Sequence, residues 1–385
     1  MINWINFLHF YQPPNSSVQE VQKITTECYQ PWADFLDCRR DLHVTINFTA
    51  CLAQALAQIG QQKLLNRFAK AAARGQIEFF DSAAFHPILP LMPKDEINRQ
   101  ICINRDINQK LFGHAYQPQG FYLPEMAYDY GTAQIIKKHG YQYIILDQIA
   151  FDGTLSTKID GQLKYKIKNI GLGVIFRQRA MSRSLVPQTI EQQIIGKEKN
   201  EEQNLITATD GELYGHHYLD WLPIYERLLA RKSIRTMTIA EYWQKLSAEK
   251  TVAPKKCSWE STQAELKKGQ PYILWQNPKN KIQKYLWQLT YLALDLVNGR
   301  PNDSNHYAAR LHLERGLASC TFWWASKKDF QLFSAIAWHP EMVEKGARDL
   351  LNAIRSLEKV SKAEKIKAEK KFTKIRELIW TTHWQ

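Results

Sequence analysis

Short apolar runs alternate with longer amphipathic stretches over about the first 240 residues. Ile2–His9, Leu42–Phe48, Gln76–Phe80, Gly120–Leu123, Tyr141–Leu146, Gly173–Arg177 and Asn204–Thr209 are brief and rich in β-branched and aromatic residues, which predicts strands. Between most of them apolar residues recur every three or four positions, which predicts helices over Leu52–Ala73, Lys94–Phe112, Thr132–Lys138 and Ile190–Ile195. Ala73-Arg-Gly75 and Lys138-His-Gly140 close two of these with glycine after a basic residue, the usual chemistry of a helix C-terminus. Strand followed by helix, repeated along the chain, predicts an α/β fold with a parallel sheet closed or nearly closed into a barrel.

The texture changes near residue 255. Tyr285–Leu296, Tyr307–Ala318 and Glu341–Lys374 are long periodic segments rich in Leu, Ala and Lys, so the C-terminal portion is predicted to be helical. Thr251–Lys268 reads as the connection. The expected division is a barrel over 1–250 and a helical domain over 251–385. A chain of 385 residues can bury a full core and is too long for one small domain.

Composition narrows the class. Apolar residues make up 44% and aromatics 12%, which excludes a disordered protein. No run of about 18 apolar residues occurs, so no membrane span is expected. Met1–Asn6 lacks a basic region ahead of an apolar core, so no secretory leader is expected and the cytoplasm is the default location. The six cysteines show no paired spacing and read as reduced thiols. The net charge of +13 is concentrated in 245–284, with nine lysines against three glutamates, and in 355–377, with nine basic residues against four glutamates. Solvated helix faces account for both segments, and a nucleic-acid partner is not expected.

Ionisable residues collect where the predicted strands end. His9-Phe-Tyr-Gln12 follows the first strand; Glu78 lies in the third, which runs on through Asp81 to His86; Glu125 follows the fourth. Asp147, Arg177 and Asp210 follow the fifth, sixth and seventh. In a parallel barrel such ends converge on one mouth. The densest stretch is Thr207-Ala-Thr-Asp-Gly-Glu-Leu-Tyr-Gly-His-His217, which a polar turn with Asp210 as an Asx residue would also explain. Glu125 lies between Leu123-Pro124 and Met126-Ala127 with no basic neighbour, although capping a following helix would also explain it. Two carboxylates facing each other across a cleft are what glycoside hydrolysis requires. One attacks the anomeric carbon while the other, kept protonated, serves the leaving oxygen. His9, His86, His216 and His217 offer a second reading, a metal-dependent deacetylase, but they lack a tight metal-ligand spacing. Neutral histidines donating to sugar hydroxyls are expected instead. No phosphate loop, GxGxxG or GxSxG occurs.

His9-Phe-Tyr-Gln-Pro13, Gly75-Gln-Ile-Glu78 with His86-Pro87, Gly120-Phe-Tyr-Leu-Pro-Glu125 and Asp210-Gly-Glu-Leu-Tyr-Gly-His-His217 resemble, in order, four motifs of glycoside hydrolase family 57. Trp275-Gln-Asn-Pro-Lys-Asn280 and Ser319–Ser326 resemble the helical region of that family. The resemblance implies an incomplete (β/α)7 barrel followed by a helical bundle, retaining chemistry, no metal or other cofactor, and α-glucan substrates. By position Glu125 would be the nucleophile and Asp210 the general acid/base, with Glu212 supporting them. His9, Gln12, Glu78, His86 and His217 would position substrate or support the site, joined at the strand ends by Asp147 and Arg177. Trp323 and Trp324 would wall the cleft and stack on sugar rings. Tyr11 stands where the family commonly carries a second histidine, which leaves specificity open. The expected activity is α-amylase-like, with 4-α-glucanotransferase or branching activity as the alternative on the same site. A glucan-binding relative without turnover is the third reading.

Overall fold

A computed structural model of the chain describes residues 1–182, 184–193, 202–326, 328–329 and 336–385. It divides into two compact units. The first comprises Met1–Gln12, Ser16–Ala84 and Leu89–Lys268; the second comprises Pro13–Asn15, Phe85–Ile88 and Gly269–Gln385.

The strands of the first unit are β1 (Ile2–Phe10), β2 (Val44–Phe48), β3 (Ile77–Asp81), β4 (Gly120–Tyr122), β5 (Tyr143–Asp147), β6 (Lys164–Ile167), β7 (Gly173–Arg177), β8 (Gln203–Asp210), β9 (Ile234–Met237) and β10 (Glu249–Val252). Seven of them, in the order β8-β1-β2-β3-β4-β5-β7, run parallel and match the seven predicted strands within two residues at each end. The periodicity did not reveal β6, β9 and β10. β9 lies parallel to β1, β6 antiparallel to β7, and β10 parallel to β6. No ladder joins β7 to β8 among the described residues, so the barrel is incomplete.

The seven parallel barrel strands are largely buried on both faces, as parallel strands covered by helices are, and β1, β2, β5 and β7 are buried at every position. The interior holds Ile5, Phe7, Phe80, Tyr122, Tyr143, Ile145, Ile175, Ile206 and Ala208. Helix Ile239–Lys245 adds Ile239 and Tyr242 to that core, and its first N–H groups reach Thr45 Oγ1 and Glu78 Oε2, each at 2.8 Å.

The predicted helix over Lys94–Phe112 is present with those bounds. Leu52–Ala73 is two helices, Ala50–Gln58 and Gln62–Ala73, broken where Gly60 takes φ +80°. Val186–Gln193 replaces the predicted Ile190–Ile195, whose last two residues lie outside the described positions. Helical structure from Val18 to Cys38 went unpredicted.

The second unit is built from helices Lys281–Asn298, His306–Gly316, Pro340–Ser356 and Lys362–His383. The single helix expected over Glu341–Lys374 is broken at 357–361. There Asp303 accepts from the N–H groups of Glu358 (3.2 Å) and Lys359 (2.7 Å), and Ser361 with Glu364 forms a capping box for the helix that follows. Close approach in this core depends on glycine: a Cβ at Gly346 would lie 2.3 Å from Thr321 Oγ1. The two C-terminal motifs meet here, with Asn280 Nδ2 donating to Ala325 O (2.7 Å) and Gln283 Nε2 to Phe322 O (3.0 Å). None of the described helices is long and apolar enough to cross a membrane.

Candidate active site

Strand register brings the expected residues of the first unit together. His9 on β1 pairs with Asp210 at the end of β8 and with Asn47 on β2; Asn47 pairs with Phe80 on β3, and Phe80 with Gly120 on β4. Tyr122, two residues beyond Gly120, points into the barrel, its ring 4.4 Å from that of His9 and 5.2 Å from that of Phe7. Burial raises the Tyr122 phenol well above its ordinary range, and the negative charges of Glu125 and then Asp210 push in the same direction, against Arg177. One phenol therefore lies within the electrostatic field of both acids.

Glu125 sits on the single turn Pro124–Met126 that ends β4. Its backbone is left-handed (φ 59°, ψ 17°), and Met126 follows at φ 46°. Left-handed backbone costs a side-chain-bearing residue about 1–2 kcal/mol, so the surrounding structure must impose it. Trp259 does so from both ends of Glu125: its backbone N donates to Glu125 O (3.0 Å) and its indole Nε1 to Glu125 Oε2 (2.9 Å).

Burial pushes the Asp210 carboxyl up to about 7; Arg177 opposes this and Glu260 reinforces it. The next carboxyl, Glu212, is raised to about 8 by burial, opposed by the Tyr29 hydroxyl and reinforced by Asp210. Glu212 Oε1 accepts from Tyr29 Oη (2.5 Å) and Tyr11 N (3.1 Å), so it anchors the end of β1 beside Asp210. Gly211 makes this turn possible, because a Cβ there would lie 1.8 Å from Phe10 Cε1.

His9 is held neutral by burial, its pKa lowered to about 3. Its Nδ1 lies 2.8 Å from Asn47 Oδ1, while Asn47 Nδ2 donates to Phe80 O. The amide oxygen is therefore an acceptor, Nδ1 carries the ring proton, and Nε2 is an acceptor. Tyr11 stacks on the His9 ring at 5.8 Å, and Gln12 Nε2 donates to Tyr29 Oη (3.4 Å).

Asp147 and Arg177 end β5 and β7 as expected but face each other. Asp147 has no exposure; its Oδ2 accepts from Arg177 Nε (2.7 Å), and its Oδ1 from Arg179 Nε (2.8 Å) and Ile149 N (3.0 Å). The Arg177 guanidinium lies 5.1 Å from the centre of the Trp259 ring. Glu78 is one layer deeper than His9, in register with Thr45 and so with Phe7. Thr45 Oγ1, Tyr143 Oη and Ala240 N hold its carboxyl there, and burial raises it to about 7. His217 is lowered to about 4 by burial and by His216, which itself pairs with Glu27 at 2.6 Å.

His86, Trp323 and Trp324 belong to the second unit. His86 takes φ 57°, with Nδ1 2.9 Å from Ser319 Oγ, and Ser319 N donates to His86 O. The rings of Trp323 and Trp324 are 6.5 Å apart, and Trp324 lies 5.8 Å from His339. Three of the four histidines of the deacetylase reading, His9, His86 and His216, lie against Asn47, Ser319 and Glu27, and among the described residues no three acids, cysteines or histidines group to hold a metal ion.

Sequence reasoning missed Tyr122, Asn47, Trp259 and Glu260. Tyr122 and Asn47 lie inside the predicted strands, where an apolar run gives them no distinction, and Trp259 and Glu260 lie in the connecting stretch 251–268, which carries no periodicity.

The model described as glycosyl hydrolase family 57 matches residues 5–255. An alpha-amylase of Pyrococcus horikoshii is 22% identical over 259 residues, 63% of this chain and 40% of that protein. A 4-alpha-glucanotransferase of Thermococcus litoralis is 22% identical over 261 residues, 64% of this chain and 39% of that protein. The chain thus spans about 40% of the length of these curated relatives. Among solved structures, the Thermococcus litoralis 4-alpha-glucanotransferase superposes with a TM-score of 0.73 at 18% identity, over 93% of this chain and 60% of that one. A branching enzyme from Pyrococcus horikoshii superposes with a TM-score of 0.72 at 16% identity, over 99% and 95%. The fold is the barrel with a helical C-terminal region that these neighbours share.

Proposed function

Because the chain belongs to glycosyl hydrolase family 57, we propose that it acts on α-1,4-linked glucans through a covalent glycosyl intermediate, with Glu125 as nucleophile and Asp210 as general acid/base. The observation that carries this reading is the pair of carboxyls around Tyr122, one held by the neutral donor Trp259 and the other kept protonated to about 7. A glycosidase needs its acid/base protonated when the substrate arrives, and burial of Asp210 supports that role.

The steps follow from those states. The Glu125 carboxylate forms a bond to the anomeric carbon as the bond from that carbon to the glycosidic oxygen breaks, and Asp210 gives its proton to the departing oxygen. Asp210, now ionised, takes a proton from an incoming hydroxyl whose oxygen bonds to the same carbon and releases Glu125. Water gives hydrolysis, as in the relatives named alpha-amylase; a sugar hydroxyl gives transfer, as in the relative named 4-alpha-glucanotransferase. His9 accepts from a hydroxyl of the bound sugar, and Tyr11, lying against it, varies the pocket from that side.

Glu125→Gln keeps the shape and the Trp259 bond but removes the nucleophile. Turnover of amylose, followed by reducing ends and by chain length, is expected to fall by at least 10³-fold, the order of effect of removing a nucleophile that acts as part of a unit, while maltooligosaccharide binding persists. Turnover within tenfold of wild type refutes the assignment. Reducing ends that rise with amylose breakdown mark hydrolysis, and redistributed chain lengths at constant reducing ends mark transfer.

A further inference from the structure

The Glu125 turn has no repeating backbone to fix it: three residues, two of them left-handed in succession, present the carboxyl at the end of β4. Met126 N to Leu123 O (2.8 Å) and Ala127 N to Pro124 O (3.0 Å) close it locally, but the bonds to Glu125 O and to its carboxylate come from Trp259, more than a hundred residues later. Ser258–Ser261 is a tight turn closed on itself, with Ser258 N donating to Ser261 Oγ (2.8 Å) and Ser261 N to Ser258 O (3.2 Å). The segment leading into it is laid along the barrel by Lys255 N to Ala150 O (2.7 Å) and Tyr128 N to Cys257 O (2.8 Å). Arg179 Nη1 donates to Ser261 O (2.8 Å), and Arg177 Nη2 to Trp259 O (3.4 Å). Both arginines are fixed in turn by Asp147. A continuous chain of contacts therefore runs from a fully buried carboxylate, through two guanidinium groups and one turn, to the two bonds that Trp259 makes with Glu125.

We infer that this turn is a clamp that sets the plane and reach of the Glu125 carboxylate, with Trp259 as a positioning residue for the nucleophile. The inference rests on the reading of Glu125 as the nucleophile. Trp259 fixes its neighbour at two points, one on the main chain and one on a carboxylate oxygen, which determines the direction of the side chain as well as its place. The donor is an uncharged N–H. A lysine or arginine bonded to the same oxygen would fix it too, but would stabilise the carboxylate against giving up its charge to the anomeric carbon. An indole orients the group at a smaller cost to its nucleophilicity, and orientation is the larger gain where a reacting oxygen must meet one carbon along one line. The same chain of contacts gives Asp147 and Arg177 their place: they hold the clamp, and so act on the reaction through Trp259.

The test separates positioning from binding and from folding. Wild type and Trp259→Phe are treated with a 5-fluoro-α-glucosyl fluoride, which traps the glycosyl-enzyme, and the label is located by peptide mass spectrometry. At saturating reagent the trapping rate is expected to fall about tenfold, the size of one hydrogen bond to a charged group, with half-saturation within twofold and an unchanged thermal midpoint. Should the phenylalanine variant fold poorly, 3-benzothienylalanine at position 259 replaces the N–H by sulfur at constant ring shape, and the same loss is expected. A trapping rate equal to or above wild type, or a loss confined to half-saturation, overturns the clamp. Labelling of wild type at a residue other than Glu125 instead overturns the nucleophile assignment beneath it.

Discussion

Holding Asp210 protonated has a thermodynamic consequence that can be measured without substrate. In the folded chain the carboxyl keeps its proton up to about pH 7, whereas an unfolded aspartate loses it near 3.9. Between those values the folded state binds more protons than the unfolded one, so stability falls as pH rises through this window. The contribution is fully present below about pH 4 and lost above about pH 7. A shift of about three pH units at about 1.4 kcal/mol each sets a ceiling near 4 kcal/mol. Asp210 is half-buried by surface area, and solvent screening lowers the expected figure to about 1–2 kcal/mol. Asp210→Asn is neutral at every pH and nearly the same size. It is expected to match wild type near pH 3, below both pKa values, and to exceed it by about 1–2 kcal/mol at pH 8, while losing turnover. Glu78 and Glu212 are shifted in the same direction, but both remain in the variant and largely cancel in the difference. Relief of Glu212 from the Asp210 charge adds to the gain. Urea midpoints at the two pH values, with slopes compared to check that the unfolding reaction is unchanged, give the answer. Equal midpoints at pH 8, or a gap that narrows as pH rises, refute the claim that burial holds this acid protonated.

Two structural substitutions probe the frame of the site. Asp147→Ala leaves Arg177 and Arg179 as uncompensated buried charges and is expected to cost about 3–5 kcal/mol, read from the urea midpoint; a cost under 1 kcal/mol refutes the buried anchor. Gly215 takes φ +108°, and a Cβ there would lie 1.9 Å from Glu27 O, so Gly215→Ala is expected to destabilise by at least about 2 kcal/mol. A neutral result by thermal unfolding would show that this turn yields more readily than its packing against Glu27 indicates.

The barrel strands were legible because each is buried on both faces and so reads as an unbroken apolar run between polar turns. Helix ends marked by glycine were legible for the same local reason. The helix from Val18 carried a signal that went unused: Ser17 and Glu20 are three apart and form a capping box. The same pairing at Ser361 and Glu364 marks the start of a new helix inside what the periodicity ran together. At the site, the strand-end rule located Glu125, Asp147, Arg177 and Asp210, but it ranks every ionisable residue alike. It could not tell that Asp147 and Arg177 are spent on each other, since that depends on which ends lie side by side across β5 and β7. Nor could it find Trp259, whose neighbours carry no periodicity and whose partner lies 134 positions earlier.

What sequence could not show is also where the structure is under the most strain, and the two facts have one cause. Left-handed backbone at Glu125 and Met126, an Asp210 carboxyl held from ionising and a buried carboxylate between two arginines are each unfavourable taken alone. Local sequence does not specify such states, because the bonds within the Glu125 turn (Met126 N to Leu123 O, Ala127 N to Pro124 O) leave its carboxylate unplaced, and packing from distant segments places it. The Ser258–Ser261 turn supplies that packing for Glu125, and the register of β1 with β8 supplies it for Asp210. The Ser258–Ser261 turn also reaches Asp210 through the charges of Glu260 and Arg177, but both of these stay in place when only the Trp259 indole N–H is removed. Loosening one is expected to leave the other in place, so Trp259→Phe should slow attack without moving the pH window over which Asp210 keeps its proton. A shift of the alkaline limb of the rate profile in that variant would show instead that the two acids are set by one shared support.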